Sequence, residues 1–95
     1  MGLASFYGER HKGERTASGA RYDPAAFTCA HRQEPFGTRL MVTDLENGRR
    51  VVVTVNDRGP FVRGRVVDLS LAAARALGMV ERGVALVRVE RIDSQ

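Results

Sequence analysis

A chain of 95 residues is long enough for one small domain and too short for two domains of ordinary size. Its hydrophobic fraction of 43% and charged fraction of 27% are typical of a folded globular protein, which excludes a disordered or low-complexity chain. No apolar stretch reaches membrane-spanning length, so we expect a soluble domain that does not insert into a membrane.

The net charge of +4 raises the question of a polyanionic partner. All 15 basic residues except Lys12 are arginines, and they are spread from Arg10 to Arg91. A nucleic-acid surface usually concentrates such residues in a patch or stripe. We therefore expect no nucleic-acid partner. A basic barrel that binds nucleic acid stays a third hypothesis, and it predicts affinity that falls steeply with salt.

The cysteine and histidine content predicts neither a disulfide nor a metal site. Cys29 is the single cysteine, so no internal disulfide can form, and a free cysteine is usually a small buried side chain. His11 and His31 are far apart in the sequence and belong to no spaced Cys/His pattern. We expect no metal and no cofactor.

The first third of the chain alternates between short apolar segments and turns. Leu3 to Gly8 is typical of a short strand closed by glycine, and Glu9 to Tyr22 is a polar surface loop. A loop of that length in so small a domain is often functional. Asp23 to Ala26 predicts a turn leading into one helical turn, with Asp23 as its cap. Phe27 to His31 is predicted to be a short buried segment.

A β-hairpin is predicted in the middle of the chain. After a turn at Glu34 to Gly37, Leu40 and Val42 alternate with polar residues, which is typical of a half-buried strand. Asn47-Gly48 follows, and Asn-Gly between alternating strands is a strong hairpin signal because both residues tolerate positive φ. Thr38 to Asn56 is therefore predicted to form the hairpin.

The stretch from Val51 to Ser70 carries the most informative side chains. Its β-branched strand runs into Asn56-Asp57-Arg58-Gly59-Pro60-Phe61, where an amide, an acid and a guanidinium share one turn. Polar groups on a turn between buried strands favour a site held by a rigid scaffold. The alternative is local: Asp57 caps the turn and Arg58 pairs with it at the surface.

One helix and a closing strand complete the chain. The segment 70–77 is rich in alanine, with Ser70 as its cap and Gly78 as its left-handed stop, and Asp68 is expected to assist the cap. Val84 to Ile92 is a valine-rich strand. Many short strands, Gly/Pro turns and one helix favour a small closed barrel over an open sheet.

Six sequence segments in this order resemble the rare lipoprotein A (RlpA-like) family. They are Ala4 to Gly8, Thr16 to Gly19, Ala30-His31, Pro35 to Thr38, Asn56 to Phe61, and Asp68 to Ser70 with the helix. The resemblance spans about Leu3 to Val89 and implies a mainly β fold, a six-stranded double-psi β-barrel with one short helix at about 70–77. We expect residues 1–95 to form this single domain, with neither a SPOR domain nor a lipoprotein signal within them.

The resemblance also implies an activity. Family members are lytic transglycosylases that cleave peptidoglycan strands stripped of their stem peptides, notably at the division septum, and leave 1,6-anhydromuramic acid ends. They are outer-membrane lipoproteins that face the periplasm. We expect the same substrate here, and a monomer. The alternative is a non-catalytic glycan-binding barrel of the expansin type.

The resemblance assigns roles to individual residues. Asp57 matches the catalytic aspartate of the family, and His31 matches a histidine near its site; the alternative for His31 is a structural histidine. Arg58 is expected to bind the lactyl carboxylate of muramic acid, unless it pairs with Asp57 or Asp68. Further substrate contacts are expected from Tyr7, Thr16, Ser18 and Asn56. Aromatic side chains, Phe61 included, are alternatively core residues.

One position departs from the family pattern. Ala20 stands where family members usually have a second catalytic acid, a glutamate, and an alanine side chain cannot transfer a proton. Activity is therefore expected to be impaired unless another acid replaces it. Glu9, Glu14 and Asp23 are the acids of the same loop region, and each is a candidate.

Overall fold

The computed structural model describes residues 1–92, whose six strands close into a barrel. In chain order the strands are β1 (Gly2–Phe6), β2 (Thr28–Ala30), β3 (Arg39–Asp44), β4 (Arg50–Asp57), β5 (Arg65–Leu69) and β6 (Ala85–Arg91). A short helix, α1 (Leu71–Leu77), connects β5 to β6, and a 3₁₀ turn occupies Glu9–His11. Around the barrel the order is β1-β5-β2-β4-β3-β6.

Two parallel strand pairs give the barrel its topology. β1 pairs with β5 and β2 pairs with β4 in parallel, while the remaining contacts around the barrel are antiparallel. Parallel neighbours need long crossover connections, and here the two crossovers interleave because β2 lies between β5 and β4. The predicted double-psi β-barrel with one short helix is confirmed.

The predicted hairpin is the most regular part of the sheet. β3 and β4 are antiparallel, with Leu40 opposite Val53 and Val42 opposite Val51, and these side chains are buried. Gly48 in the connecting turn has φ of 78°, a conformation that glycine adopts at little cost. Alternation along β4 therefore places the inward valines in the core and leaves the carboxyl end of the strand at the barrel rim.

Helix α1 begins and ends where the sequence predicts. The Ser70 hydroxyl accepts a hydrogen bond from the Ala73 amide at 3.3 Å, and Gly78 ends the helix with φ of 72°. The predicted contribution of Asp68 to this cap is wrong. The Asp68 carboxyl instead accepts a hydrogen bond from the Ser5 hydroxyl, because the parallel pairing of β1 with β5 places the two residues side by side.

Two further local predictions need correction. Asp23 to Ala26 forms a turn rather than a helical turn: the Ala26 amide donates to the Asp23 carbonyl at 3.1 Å, and the Ala25 amide donates to the Asp23 carboxyl at 2.9 Å. Phe27 is 48% exposed although it was predicted to be buried, because it precedes β2 and lies at the surface beside α1.

The core lies inside the barrel and under α1. It consists mainly of valine, leucine and alanine side chains, together with Met79 and Cys29. Burial raises the pKa of the Cys29 thiol to about 12, with a smaller contribution from the charge of Asp68, so the thiol stays protonated at neutral pH. This agrees with a packing role for Cys29. Within residues 1–92 no helix has the length and apolar character needed to cross a bilayer.

Candidate active site

Asp57 is the last residue of β4, at the rim of the barrel. It lies opposite Ala30 of β2, which in turn lies opposite Asp68 of β5. The β2–β4 register shifts by an irregularity just before this pair. Asp57 is partly exposed, whereas Val55 two residues earlier is fully buried. The strand therefore carries the carboxyl out of the core and fixes its backbone at the rim.

Three neutral donors surround the Asp57 carboxyl. Its Oδ1 accepts from the amide of Ala17 at 2.8 Å and from the amide of Arg58 at 2.9 Å. Its Oδ2 accepts from the Tyr7 hydroxyl at 2.9 Å. These bonds fix both carboxyl oxygens. Because Oδ1 accepts from two amides, a proton arriving at Asp57 must bind at Oδ2.

Tyr7 follows β1 and brings a phenol to the site. Burial raises the pKa of Tyr7, and its hydrogen bond to Asp57 and the charges of Asp57 and Asp68 raise it further. The phenol therefore remains protonated and serves as a donor. Its ring packs edge-on against Tyr22, with ring centroids 5.3 Å apart, and against His11 at 5.9 Å, so its orientation is fixed from two sides.

Asp57 faces a small cavity at the rim of the barrel. The cavity has a volume of about 50 Å³ and is lined by Tyr7, His11, Glu14, Arg15, Thr16, Tyr22 and Asp57. A space of this size is too small to enclose a sugar ring.

The polar loop folds back over the end of β4. Arg15 and Arg21 pair as in a short antiparallel ladder, and the Thr16 amide donates to the Ala20 carbonyl at 2.8 Å. The Ser18 amide donates to the Asn56 carbonyl at 3.2 Å. Thr16 and Ser18 from one motif and Asn56 from another are thus brought together next to Asp57, while their substrate contacts stay predictions.

Ala20 occupies a different place from its loop neighbours. Its carbonyl accepts from both the amide and the hydroxyl of Thr16, which fixes its backbone in the turn. Its side chain is exposed and does not line the cavity. Of the three acids that were candidates to replace a glutamate there, only Glu14 lines this cavity. Glu9 and Asp23 border a separate, larger depression of about 420 Å³ beside α1.

His31 touches Asp57 through the backbone. Its amide donates to the Asp57 carbonyl at 3.1 Å, whereas the ring nitrogen Nδ1 accepts from the amides of Gln33 and Glu34 at 3.1 and 3.2 Å. Burial lowers the pKa of His31; the charges of Arg32 and Arg58 lower it too, against the opposing effect of Glu34. The ring is therefore neutral at pH 7, with its proton on Nε2, and it does not line the cavity.

The Arg58 guanidinium is engaged by carbonyl oxygens. Its Nη1 donates to the carbonyls of His31 at 3.0 Å and Glu34 at 2.8 Å, and its Cζ lies 4.0 Å from the centroid of the Phe36 ring. Over residues 1–92 its guanidinium forms no ion pair with Asp57 or Asp68. Arg58 therefore holds the segment after β2 against the end of β4.

Sequence reasoning missed some of the groups that surround Asp57. The amide of Ala17 carries no signal in its side chain, and Tyr22 and His11 became neighbours of Tyr7 only through the fold of the loop. Phe61, considered as a core residue, is 78% exposed at the tip of its turn. Across residues 1–92 no three His, Cys, Asp or Glu side chains converge in a way that would hold a metal ion.

Comparison with known proteins identifies what this architecture is similar to. Residues 1–89 match a protein-family model described as "Lytic transglycolase". The chain is 60% identical over 92 residues to the "Probable endolytic peptidoglycan transglycosylase RlpA" of Nostoc sp. strain PCC 7120, covering 95% of this chain and 25% of that protein. It is 50% identical over 93 residues to the "Endolytic peptidoglycan transglycosylase RlpA" of Pseudomonas aeruginosa strain PAO1, covering 98% of this chain and 27% of that one.

A solved structure shares the fold. The Streptomyces papain inhibitor superposes with a TM-score of 0.73 and 26% sequence identity, covering 97% of this chain and 92% of that chain. The chain therefore spans about a quarter of the length of the two curated relatives above. It covers nearly all of the papain inhibitor chain.

Proposed function

We propose that this chain, which belongs to the lytic transglycolase family, cleaves peptidoglycan glycan strands. The two RlpA transglycosylases compared above are 60% and 50% identical to it. The proposal rests on the position of the Asp57 carboxyl. It lines a cavity at the barrel rim, and three neutral hydrogen-bond donors fix its orientation there. A carboxyl held by neutral groups, with no ion pair to a cation among residues 1–92, is suited to proton transfer.

The proposed reaction needs few protein groups. The bond between C1 of N-acetylmuramic acid and the oxygen of the next N-acetylglucosamine breaks, and that oxygen receives a proton. The C6 hydroxyl oxygen of the same muramic acid forms a new bond to C1, and its proton goes to a carboxylate. Since the nucleophile belongs to the substrate, no water has to be positioned. In its simplest form one carboxyl, Asp57, acts as acid and then as base.

The other predicted site residues receive supporting roles in this proposal. Tyr7 holds Asp57 through its hydroxyl. Thr16, Ser18 and Asn56 shape the rim over which a strand would lie, and His31 with Arg58 positions the segment beside it. The guanidinium of Arg58 keeps donor nitrogens besides Nη1, and we retain it as a candidate for the lactyl carboxylate.

The substrate and setting follow the same proposal. As the substrate we propose peptidoglycan strands without stem peptides. We further propose 1,6-anhydromuramic acid as the product. For the full-length protein we propose an outer-membrane lipoprotein that acts at the periplasmic face, notably at the septum, and we propose that this barrel is a monomer.

A second candidate function is a glycan-binding barrel without catalysis. The observation that favours it is Ala20: position 20 carries no acid, and its side chain is exposed away from the cavity. A barrel with an intact rim and only one working carboxyl would still bind a strand while general acid–base catalysis, typically worth ~10²–10⁴-fold, was lost.

Mass spectrometry of digests of peptide-free glycan strands separates the two. New 1,6-anhydro ends are expected, and they identify a transglycosylase. Intact strands combined with measurable binding would identify the binding barrel, and neither binding nor cleavage would overturn both. Affinity that falls steeply with salt, for any polyanion, would instead favour the nucleic-acid hypothesis.

A further inference from the structure

The cavity that contains Asp57 contains a second carboxyl. Glu14 lines it together with His11, Tyr7 and Asp57, although Glu14 lies in the loop and Asp57 at the end of a strand. The other two acids of the loop region, Glu9 and Asp23, face the depression beside α1. Of the three loop acids that the sequence offers as candidates, Glu14 is therefore the one that shares a cavity with Asp57.

The backbone around Glu14 is fixed on both sides. Its carbonyl accepts from the Tyr22 amide at 2.7 Å, and its amide donates to the His11 carbonyl at 3.0 Å. The neighbouring Gly13 amide donates to the Tyr22 carbonyl at 2.9 Å. Because Tyr22 also packs on Tyr7, these bonds tie the position of Glu14 to that of the group that holds Asp57.

His11 orients the Glu14 side chain. His11 Nδ1 lies 2.9 Å from Glu14 Oε1, and the Glu14 side chain is 64% exposed. With a hydrogen on Nδ1, the imidazole donates to Oε1 and leaves Oε2 to carry a proton toward bound substrate. The ring of His11 is itself held against Tyr7.

The two carboxyls are suited to different halves of the reaction. Asp57 accepts hydrogen bonds at both oxygens, an arrangement that suits a carboxylate accepting a proton. Glu14 is held at one oxygen only and reaches the opening.

We infer that Glu14 protonates the leaving oxygen and that His11 is its positioning residue. The inference rests on the proposed function. In the step, the proton of Glu14 Oε2 passes to the glycosidic oxygen as its bond to C1 breaks. The C6 oxygen bonds to C1, and the C6 hydroxyl proton passes to Asp57 Oδ2. Exchange with water then returns Glu14 to its acid form and Asp57 to its carboxylate.

With Glu14 as proton donor and Asp57 as proton acceptor, the proposed reaction does not need an acid at position 20. A proton donor is present in the cavity although the usual family position lacks one. It also predicts that an acid placed at position 20, which does not line the cavity, does not take over the role of Glu14.

The test compares Glu14→Gln with Glu9→Gln in the same loop. Both variants remove one exposed carboxyl and keep the size of the side chain, so both are expected to keep the native melting temperature. Initial rates of 1,6-anhydro end formation and the Kd for a peptide-free strand are measured for each. Glu14→Gln is expected to lose ~10²–10⁴-fold in kcat with Kd within about twofold, because general acid catalysis contributes that much. Glu9→Gln is expected to keep the native rate.

Two companion variants sharpen the result. His11→Ala is expected to lower kcat by about tenfold, less than Glu14→Gln, because it affects only the orientation of the acid. Adding Ala20→Glu to Glu14→Gln is expected to restore less than about tenfold, because position 20 does not line the cavity and an acid there is out of reach of the leaving oxygen.

The outcomes separate this inference from the function it rests on. A native rate in folded Glu14→Gln overturns the role of Glu14 and leaves the proposed function standing. Equal losses in Glu14→Gln and Glu9→Gln overturn it as well, since they indicate a nonspecific effect of loop charge. If the native chain forms no anhydro ends, the proposed function fails first and the inference fails with it.

Discussion

Each of the two hairpin strands ends in an aspartate, and the two carboxyls differ in burial and in the charge of their side-chain partner. Asp44 ends β3 and Asp57 ends β4, and each carboxyl accepts hydrogen bonds from two backbone amides and one side chain. Asp44 is fully buried and its side-chain partner is the Arg82 guanidinium; Asp57 is partly exposed and its partner is a neutral phenol. The difference between them is the cation.

This difference assigns Asp44 a structural role and leaves Asp57 as the candidate for proton transfer. Asp44 closes the turn after β3 through the amides of Glu46 and Asn47, and Arg82 neutralises its charge. Burial alone would raise the pKa of Asp44, but the bonds from Arg82 and the two amides outweigh it and lower the pKa. Within residues 1–92 Asp57 forms no ion pair, and its carboxyl lines a cavity to which Arg15 also contributes. We infer that a held carboxyl without a cation is the reactive one.

Removing Asp44 should affect stability far more than catalysis. Asp44→Ala removes the acceptor of the Glu46 and Asn47 amides and the partner of the Arg82 guanidinium. Hydrogen bonds to charged groups contribute about 1.5–3 kcal/mol, so we expect a loss of about 2–3 kcal/mol in the free energy of unfolding. Urea unfolding measures it. Glu46→Ala, at a side chain that is 72% exposed, is the control and should change stability by less than about 0.5 kcal/mol. Equal effects of the two would contradict the structural role of Asp44.

Replacing Arg58 tests whether its guanidinium stabilises the fold or binds the substrate. Arg58→Met keeps much of the contact with Phe36 but removes two bonds to carbonyl oxygens, so a loss of about 1–2 kcal/mol in stability is expected. Unfolding and strand binding are measured on the same preparation. Unchanged stability with a weakened Kd would instead assign Arg58 to the lactyl carboxylate.

The two tyrosines next to Asp57 offer a finer comparison. Tyr7→Phe removes a donor from the Asp57 carboxyl and should lower the initial cleavage rate about tenfold, while stability falls by about 1 kcal/mol or less. Tyr22→Phe removes the acceptor of the Leu71 amide, 3.0 Å away and buried, and should reduce stability more than activity. The reverse ranking of the two variants would show that Tyr7 does not support the carboxyl.

The pH dependence of stability should carry the signature of Asp44. Its pKa lies below the ordinary 3.8, so its contribution is fully present above that pH and is lost as the pH falls through the lower folded-state value. Urea midpoints measured between neutral pH and the acid range should therefore fall more steeply for the native chain than for Asp44→Asn. Parallel curves would contradict the pairing with Arg82.

Regular secondary structure was the easy part to predict. Alternating valines, Asn47-Gly48 and the Ser70 cap place the hairpin and α1 within a residue or two, because these signals are local. Asp68 was misassigned because its partner, Ser5, is distant in sequence and adjacent only through the parallel pairing of β1 and β5. Phe27 was misjudged because an apolar residue beside a strand does not reveal which way it points.

The site was predictable where side chains carry the signal. The structure places Thr16, Ser18 and Asn56 near Asp57, while their roles in catalysis and substrate binding stay predictions. What the sequence leaves open is which loop acid faces Asp57, since Glu9 and Glu14 have the same composition around them and the fold of the loop decides. The same holds for His31, whose backbone meets Asp57 while its ring turns to other amides.

The most direct measurement is the rate of anhydro-end formation by Asp57→Asn beside Asp44→Asn, each assayed below its own melting temperature. We predict that Asp57→Asn keeps the native fold and loses at least ~10²-fold in rate, the low end of what general acid–base catalysis contributes. Asp44→Asn should lose stability and keep its rate. A folded Asp57→Asn that cleaves at the native rate would contradict the account.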